Sequence, residues 1–203
     1  MTAPRNRPTA LAIWLIIAGV VGLIAAFALT LDRIYLSENP GASGSCDFSV
    51  LLQCSANIKS WQGSVFGFPN PLIGLMAWPA PIVVGVALLG GVRFPRWFWI
   101  TFWAGITGAF VFVCWLISQS IFALGTLCPW CMATWSVTIP TFYAVTLHLF
   151  RSGVFPVSAR SQATAAPLMK WVPLAAVVSY AIILLLAQLR LDAITNIINT
   201  LFG

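Results

Sequence analysis

The sequence predicts an all-α integral membrane protein with five membrane-spanning helices. Of its 203 residues, 60% are hydrophobic and only 7% are charged, far from the composition of a soluble domain. Apolar stretches of about 20 residues, the length that crosses hydrocarbon, recur along the chain. Basic residues interrupt these stretches singly. Ten Lys and Arg against four Asp and Glu would otherwise suggest a nucleic-acid partner, but scattered single charges form no basic surface, so no nucleic acid is expected and membrane lipid is.

Residues 1–10 form an amino-terminal tail carrying Arg5 and Arg7. The first span, 11–31, is longer than a signal-peptide core and lacks a small-x-small cleavage site, so it is read as a retained helix. Leu51-Leu52-Gln53-Cys54 lies too far along the chain for a lipoprotein cleavage box. The second span covers 71–92, with Pro79 and Pro81 kinking it. Between Arg96 and Arg151 there is no Asp, Glu, Lys or Arg. That stretch is too long for one crossing, and Gly125-Thr126 divides it into spans at 97–124 and 127–150.

A polar connection then covers 151–170, followed by a fifth span at 171–189. From 189 to 202, apolar residues at 191, 194, 198 and 201 alternate with Asp192, Thr195, Asn196 and Asn199. That pattern reads as an amphipathic helix lying on the membrane interface. The expected organisation is therefore a four-helix bundle over 11–150 with a long loop at 32–69, and a final unit, 171–203, made of the fifth helix and the interfacial tail.

Five spans place Arg5, Arg7, Arg93, Arg96, Arg151, Arg160 and Lys170 on one face and Arg33, Lys59 and Arg190 on the other. The positive-inside rule assigns the first face to the cytoplasm, making 1–10 and 151–170 cytoplasmic. Loop 32–69 and the start of the fourth span are then extracytoplasmic, in a compartment that permits lasting disulfides. Trp61, Trp97, Trp99, Trp130 and Trp171 fall near span ends, as an aromatic belt would.

The chemistry rests on five cysteines. Cys128-Pro129-Trp130-Cys131 opens a helix, where the helix amino terminus stabilises a thiolate on the first cysteine and the spacing allows an exchangeable disulfide. Cys46 and Cys54 lie in the long loop at the same membrane face. They form either a static disulfide or the second half of a relay. A four-thiolate zinc site built from both pairs is the competing reading, although the gap from Cys46 to Cys54 is loose for it. Cys114, within Phe110-Val-Phe-Val-Cys-Trp, is expected to be a small buried apolar residue. His148 is expected at a helix end, far from the thiols.

Cys46, Cys54, Ser60 and Phe66-Gly67-Phe68-Pro69-Asn70 in the loop, followed by Cys128-x-x-Cys131 at the outer end of the fourth span, closely resemble the vitamin K epoxide reductase family, particularly its bacterial members. The likeness covers roughly 10–150. It implies a four-helix transmembrane bundle around a quinone of menaquinone or ubiquinone type, with the fifth helix beside it. It also implies a multi-pass protein of the bacterial cytoplasmic membrane, passing electrons from a secreted or membrane-anchored thioredoxin-like (DsbA-like) protein to the quinone. By family position Cys46 meets the partner, Cys54 attacks Cys128, and Cys131 faces the quinone. Asn70 would hydrogen-bond a quinone oxygen, and the segment around Ser60 and Phe66 would cover the pocket. Trp135 stands where vertebrate members carry Tyr, which puts vitamin K epoxide reduction in doubt.

The residues themselves agree with a quinone site. An apolar ring with two acceptor oxygens suits a pocket of Phe, Trp and Leu with a small number of donors. Asn70 either donates to such a ligand or caps the second span. Ser60 either touches it or satisfies loop backbone. Trp135, one turn past Cys131, either stacks on the ring or faces lipid. The relay needs the loop to move, and Gly41, Gly44 and Gly63 would supply that freedom. With no thioredoxin-like sequence after the fifth span, a separate partner is expected.

Two other readings stand beside this one. A quinone oxidoreductase of the DsbB type places its Cys-x-x-Cys in the first outer loop, the reverse of the order here. A non-enzymatic membrane protein with structural disulfides or a thiolate metal site is the other.

Overall fold

A 30-residue helix, α1 (Thr9–Glu38), about 45 Å long at ~1.5 Å per residue, is one of the two supports of the bundle. In the computed structural model the described residues are 8–155, 158, 164–165 and 167–202. Arg5, Arg7 and Arg160, and the middle of the connection 151–170, lie outside them.

After α1 come a short helix α2 (Ser55–Lys59), α3 (Pro71–Ala77), α4 (Pro79–Leu89), α5 (Arg96–Ser118), α6 (Pro129–Arg151), α7 (Val172–Leu191) and α8 (Ala193–Phe202). Four helical stretches are long and apolar enough to cross a bilayer: Thr9–Glu38, Pro71–Leu89, Arg96–Leu124 and Met169–Leu191. They make this a helical membrane protein. The described residues hold no strand, only a single parallel bridge between Leu52 and Leu127.

The second expected span is broken as its prolines predict, with α3 ending and α4 starting around Trp78. α1 packs closely on both halves because small residues line the contact. A Cβ on Gly22 would lie 2.1 Å from the Trp78 indole, and one on Gly85 would lie 2.6 Å from the Ala12 carbonyl. Close backbone approach through small residues drives helix association where lipid removes the hydrophobic incentive.

α6, over the expected fourth span, is the second support, packed on α1, α5 and α7. It is long enough to cross but less apolar than the other four, because its polar side chains are used inside the protein. Thr141 accepts from Trp14 Nε1 of α1 at 2.9 Å, and Thr146 accepts from Trp103 Nε1 of α5 at 2.9 Å. Pro140, inside the helix, has no N–H to offer the carbonyl four residues earlier. The Tyr180 hydroxyl of α7 donates to that Ser136 carbonyl at 2.5 Å. A second tyrosine contact, Tyr143 to the Ser179 hydroxyl at 2.9 Å, joins the same helices.

α5 ends in a π-helical turn, Gln119–Leu124, closed by Gly125 in the left-handed conformation with φ 69°, so the expected turn is there. α7 ends at Asp192, also left-handed at φ 48°. The amphipathic segment therefore begins at Ala193, and Ile194 and Ile198 are exposed. Arg93, Arg96, Arg151 and Lys170 sit at helix ends away from the long loop.

Three expectations are corrected. Cys114 is exposed on the outer side of α5, a helix surrounded by few neighbours, where a thiol behaves as a small apolar residue facing lipid. Trp99 packs inside, 4.9 Å from the His148 ring, whereas Trp61, Trp97 and Trp171 are exposed as belt residues would be. Of Gly41, Gly44 and Gly63, only Gly41 has open space around it. The Gly44 N–H bonds Asp47 and Ser55, and a Cβ on Gly63 would lie 2.5 Å from the Asn57 carbonyl. Both positions are packed tightly. The left-handed glycine of this loop is Gly67, at φ 82°.

Candidate functional site

Backbone pairing brings the two cysteine pairs together. The Leu127 N–H donates to the Leu51 carbonyl at 2.8 Å, and the Gln53 N–H donates to the Leu127 carbonyl at 3.1 Å. The next residue on each strand of this clasp is a cysteine. Cys54 and Cys128 are thereby held with sulfurs 3.1 Å apart. Cys54 is also bonded to Cys46 in a disulfide with a Cα separation of 5.6 Å. All three cysteines are buried, packed with Leu29, Leu36 and Ile58.

Asp47 organises the loop around that disulfide. Its carboxylate accepts from the N–H of Cys54 at 2.7 Å and of Ser55 at 3.0 Å, at the head of α2. It also accepts from the Gly44 N–H at 2.8 Å and from the Ser55 hydroxyl. Burial alone would raise its pKa, but these bonds outweigh it and hold the carboxyl below the usual 3.8. Asp32, buried on α1, accepts from the N–H and hydroxyl of Ser45 at 3.1 and 2.8 Å, fixing the residue next to Cys46. Neither acid stood out in the sequence, because an acid in a polar loop carries no periodic signal.

Cys128 is the N-cap of α6 in extended backbone, with Pro129 opening the helix, a favoured place for proline. The Cys131 N–H donates to the Cys128 sulfur at 3.3 Å, so a backbone dipole at the helix head is directed at that sulfur. Cys131 packs against the three-sulfur cluster, whose members are within 4.8 Å of one another. It lines a cavity of about 640 Å³ between α1, α3–α4, α5 and α6. Its walls are largely apolar, including Ala26, Leu29, Ile73, Trp78, Phe102, Phe112 and Val113.

The other candidate residues divide. Trp135, 4% exposed, lines this cavity and does not face lipid. Asn70 also lines it. Its side chain does not cap the helix. Instead Nδ2 donates to the Gln62 carbonyl at 2.6 Å and Oδ1 accepts from the Val65 N–H at 3.2 Å. One amide hydrogen of Asn70 is thus used within the loop. Ser60 lines the cavity, but its hydroxyl donates to the Asn57 carbonyl and accepts from the Gly63 N–H, capping the short turn Trp61–Ser64. Phe66 is corrected. It is 58% exposed and outside the lining, resting 5.6 Å from the Phe112 ring, so Phe112 of α5 presents the aromatic surface to the cavity.

The sequence reading missed the polar edge of the cavity. Asn57 bonds Thr126 and Ser120 at 2.9 and 3.2 Å, tying α2 to the π-helical turn. Gln62 Nε2 donates to Gln119 Oε1 at 3.3 Å, and Arg33 donates to the Ile58 carbonyl. Gln62, Gln119, Ser120, Asn57 and Arg33 all line the cavity. The π-helical turn is a signal in structure, since such turns concentrate at functional sites, but sequence does not reveal it.

No curated protein gives a significant match to the chain. A family model described as the vitamin K epoxide reductase family matches residues 13–146, which include all these cysteines and the cavity helices.

Proposed function

The chain belongs to the vitamin K epoxide reductase family, which makes it a membrane thiol oxidoreductase, and from that premise we propose that it carries two electrons from a thioredoxin-like protein outside the cytoplasmic membrane to a quinone. The observation that supports this most directly is the linear arrangement of four cysteines. A loop disulfide abuts Cys128 through Cys54 at 3.1 Å, and the neighbour of Cys128, Cys131, lines a largely apolar cavity.

The thiol steps balance as disulfide exchanges. The partner's thiolate attacks Cys46 of the Cys46–Cys54 disulfide, and Cys54 leaves as a thiolate. The partner's second thiol then resolves the mixed disulfide, leaving with its own disulfide, and Cys46 and Cys54 hold the electron pair. Cys54 attacks Cys128 of a Cys128–Cys131 disulfide, and Cys131 leaves. Cys46 attacks Cys54, restoring the loop disulfide and leaving Cys128 and Cys131 as a dithiol. The arrangement described above, with Cys46 and Cys54 bonded and Cys128 and Cys131 free, corresponds to that last state.

The cavity fits a quinone by the chemistry of its lining: flat aromatic walls with side-chain amides at one edge. Asn70 and Trp135 would hold the ring, and a bound quinone supplies the two-electron, two-proton acceptor. The protein's own part is to set Cys131 at the cavity wall and to exclude water from Cys54 and Cys128, both 0% exposed. By the positive-inside argument, the cysteine end lies outside and all five long helices cross the bacterial cytoplasmic membrane, α6 as an interior span.

The test is anaerobic quinone reduction by purified protein with a dithiol donor. Cys131→Ala should abolish it, whereas Cys46→Ala should lose turnover with a protein partner but retain part of it with a small dithiol. Equal rates for all three proteins and for buffer would remove the proposal.

A further inference from the structure

We propose that Leu191, the last residue of α7, is a positioning residue for the Cys54–Cys128 exchange: with Ala187 and the head of α8 it braces the backbone clasp that holds the two sulfurs together. The proposal rests on the thiol relay described above and brings into it a helix that lies outside the matched residues 13–146.

The clasp needs a brace. It is an isolated bridge between Leu52 and Leu127, tied by the two backbone hydrogen bonds at 2.8 and 3.1 Å. A pairing this short is a weak tie by itself, so the packing of its side chains must hold it. Leu51, Leu52 and Leu127 are buried in one apolar cluster with Ala187 of α7 and Ala193 of α8, and Leu191 packs against that cluster. Ala187 and Ala193 are 2% and 0% exposed. Two residues before Leu127, a Cβ on Gly125 would lie 3.8 Å from Leu191 Cδ2, so the Leu191 side chain rests on the turn that leads into the clasp.

The brace is fixed at both ends. Tyr180 and Ser179 tie α7 to α6, the helix whose head carries Cys128 and Cys131. Towards its carboxy terminus α7 packs on the π-helical turn. There the left-handed Asp192 turns the chain, and Gln188 Oε1 accepts from the Ile194 N–H at 2.7 Å, which holds the head of α8 against α7 with Ala193 enclosed. The clasp and α6 are thereby referenced to one another through α7, and the approach of Cys54 to Cys128 depends on that frame. The approach of Cys131 to Cys128 does not, since both belong to the head of α6.

That difference supplies the test. The full chain carrying Cys46→Ser and Cys114→Ser has three thiols, and one equivalent of diamide oxidises two of them to a disulfide while being reduced to its hydrazine. The Cys54 thiolate attacks Cys128 of a Cys128–Cys131 disulfide, that bond breaks and Cys131 leaves as a thiolate; the reverse attack competes. The equilibrium ratio of the two disulfides, read by mass spectrometry after acid quench and alkylation, reports how well the clasp presents Cys54. Because the ratio is taken within one folded chain, a general loss of stability does not move it.

Leu191→Ala should lower the ratio of Cys54–Cys128 to Cys128–Cys131 about tenfold, whereas Leu191→Ile, which keeps the volume, should stay within about twofold. Leu189→Ala, at a side chain on the same turn that is 77% exposed, should leave the ratio unchanged. An unchanged ratio in Leu191→Ala, or an equal fall in Leu189→Ala, overturns the assignment. If Leu191→Ala does not fold, Gln188→Leu, which frees the Ile194 N–H, should lower the ratio about threefold, and no change there overturns it as well. A parent that forms only the Cys128–Cys131 disulfide would remove the relay itself, a result distinct from loss of the brace.

Discussion

Cys54 and Cys128, 74 positions apart in sequence, hold their sulfurs 3.1 Å apart because the residues before them, Gln53 and Leu127, are joined by a backbone hydrogen bond. Sulfur exchange at that junction is an in-place reaction, needing no large excursion of the loop. Removing the competing partner should therefore let these two sulfurs bond. In Cys46→Ser, Cys54 and Cys128 should form a disulfide in most molecules, read by mass spectrometry after alkylation of free thiols. Finding both alkylated would show that the junction does not exchange.

In Cys54→Ala, Cys46 is a free thiol; its thiolate should attack the disulfide of an oxidised thioredoxin-like partner, one partner sulfur leaving as a thiolate, and with no Cys54 to displace the partner a mixed disulfide accumulates through Cys46. Trapping is measured on non-reducing gels. Capture through Cys128 instead would reverse the order of the two pairs.

Asp47 binds the N–H groups of Cys54 and Ser55, so Asp47→Ala should free the loop and slow internal exchange roughly tenfold, the loss of about one charged hydrogen bond's worth of positioning. Its pH dependence follows from the direction of its pKa. The folded value is lowered below 3.8, so its stabilisation is fully present above the unfolded value and is lost as pH falls through the folded one. Protection of the loop from protease should thus hold at mildly acidic pH and decline below about pH 4 in the parent. That acidic decline should be absent in Asp47→Ala.

Tyr180 satisfies the carbonyl that Pro140 leaves without a partner. Tyr180→Phe should lower the stability of the α6–α7 contact by about 1–2 kcal/mol. Pro140→Ala restores an N–H to the Ser136 carbonyl, so adding it to Tyr180→Phe should recover part of the loss. Additive destabilisation in denaturant titrations of the double variant would show that the two residues do not serve the same carbonyl.

Three sulfurs within 4.8 Å invite a comparison with a thiolate metal centre, but two of them are bonded to one another. Purified protein should carry substoichiometric zinc, and chelators should leave dithiol-driven turnover unchanged. Stoichiometric zinc with unreactive thiols would replace the relay by a metal site.

The sequence by itself determined the membrane character, the helix-breaking prolines at 79 and 81, the turn at Gly125 and the pairs Cys46/Cys54 and Cys128/Cys131. Those features are local: a bilayer demands contiguous apolar residues, proline acts on its own turn, and Cys-x-x-Cys spacing lies within one helical turn. What only the tertiary structure decided is non-local. The clasp between Leu51–Gln53 and Leu127 chose Cys128 as the neighbour of Cys54, and packing against Asn57 made Gly63 a fixed point where free movement was expected. Burial turned Trp135 to the cavity, left Phe66 outside it and set Gln62 among its lining residues. A loop side chain has no periodicity to announce its surroundings, so its role appears only when distant helices close around it.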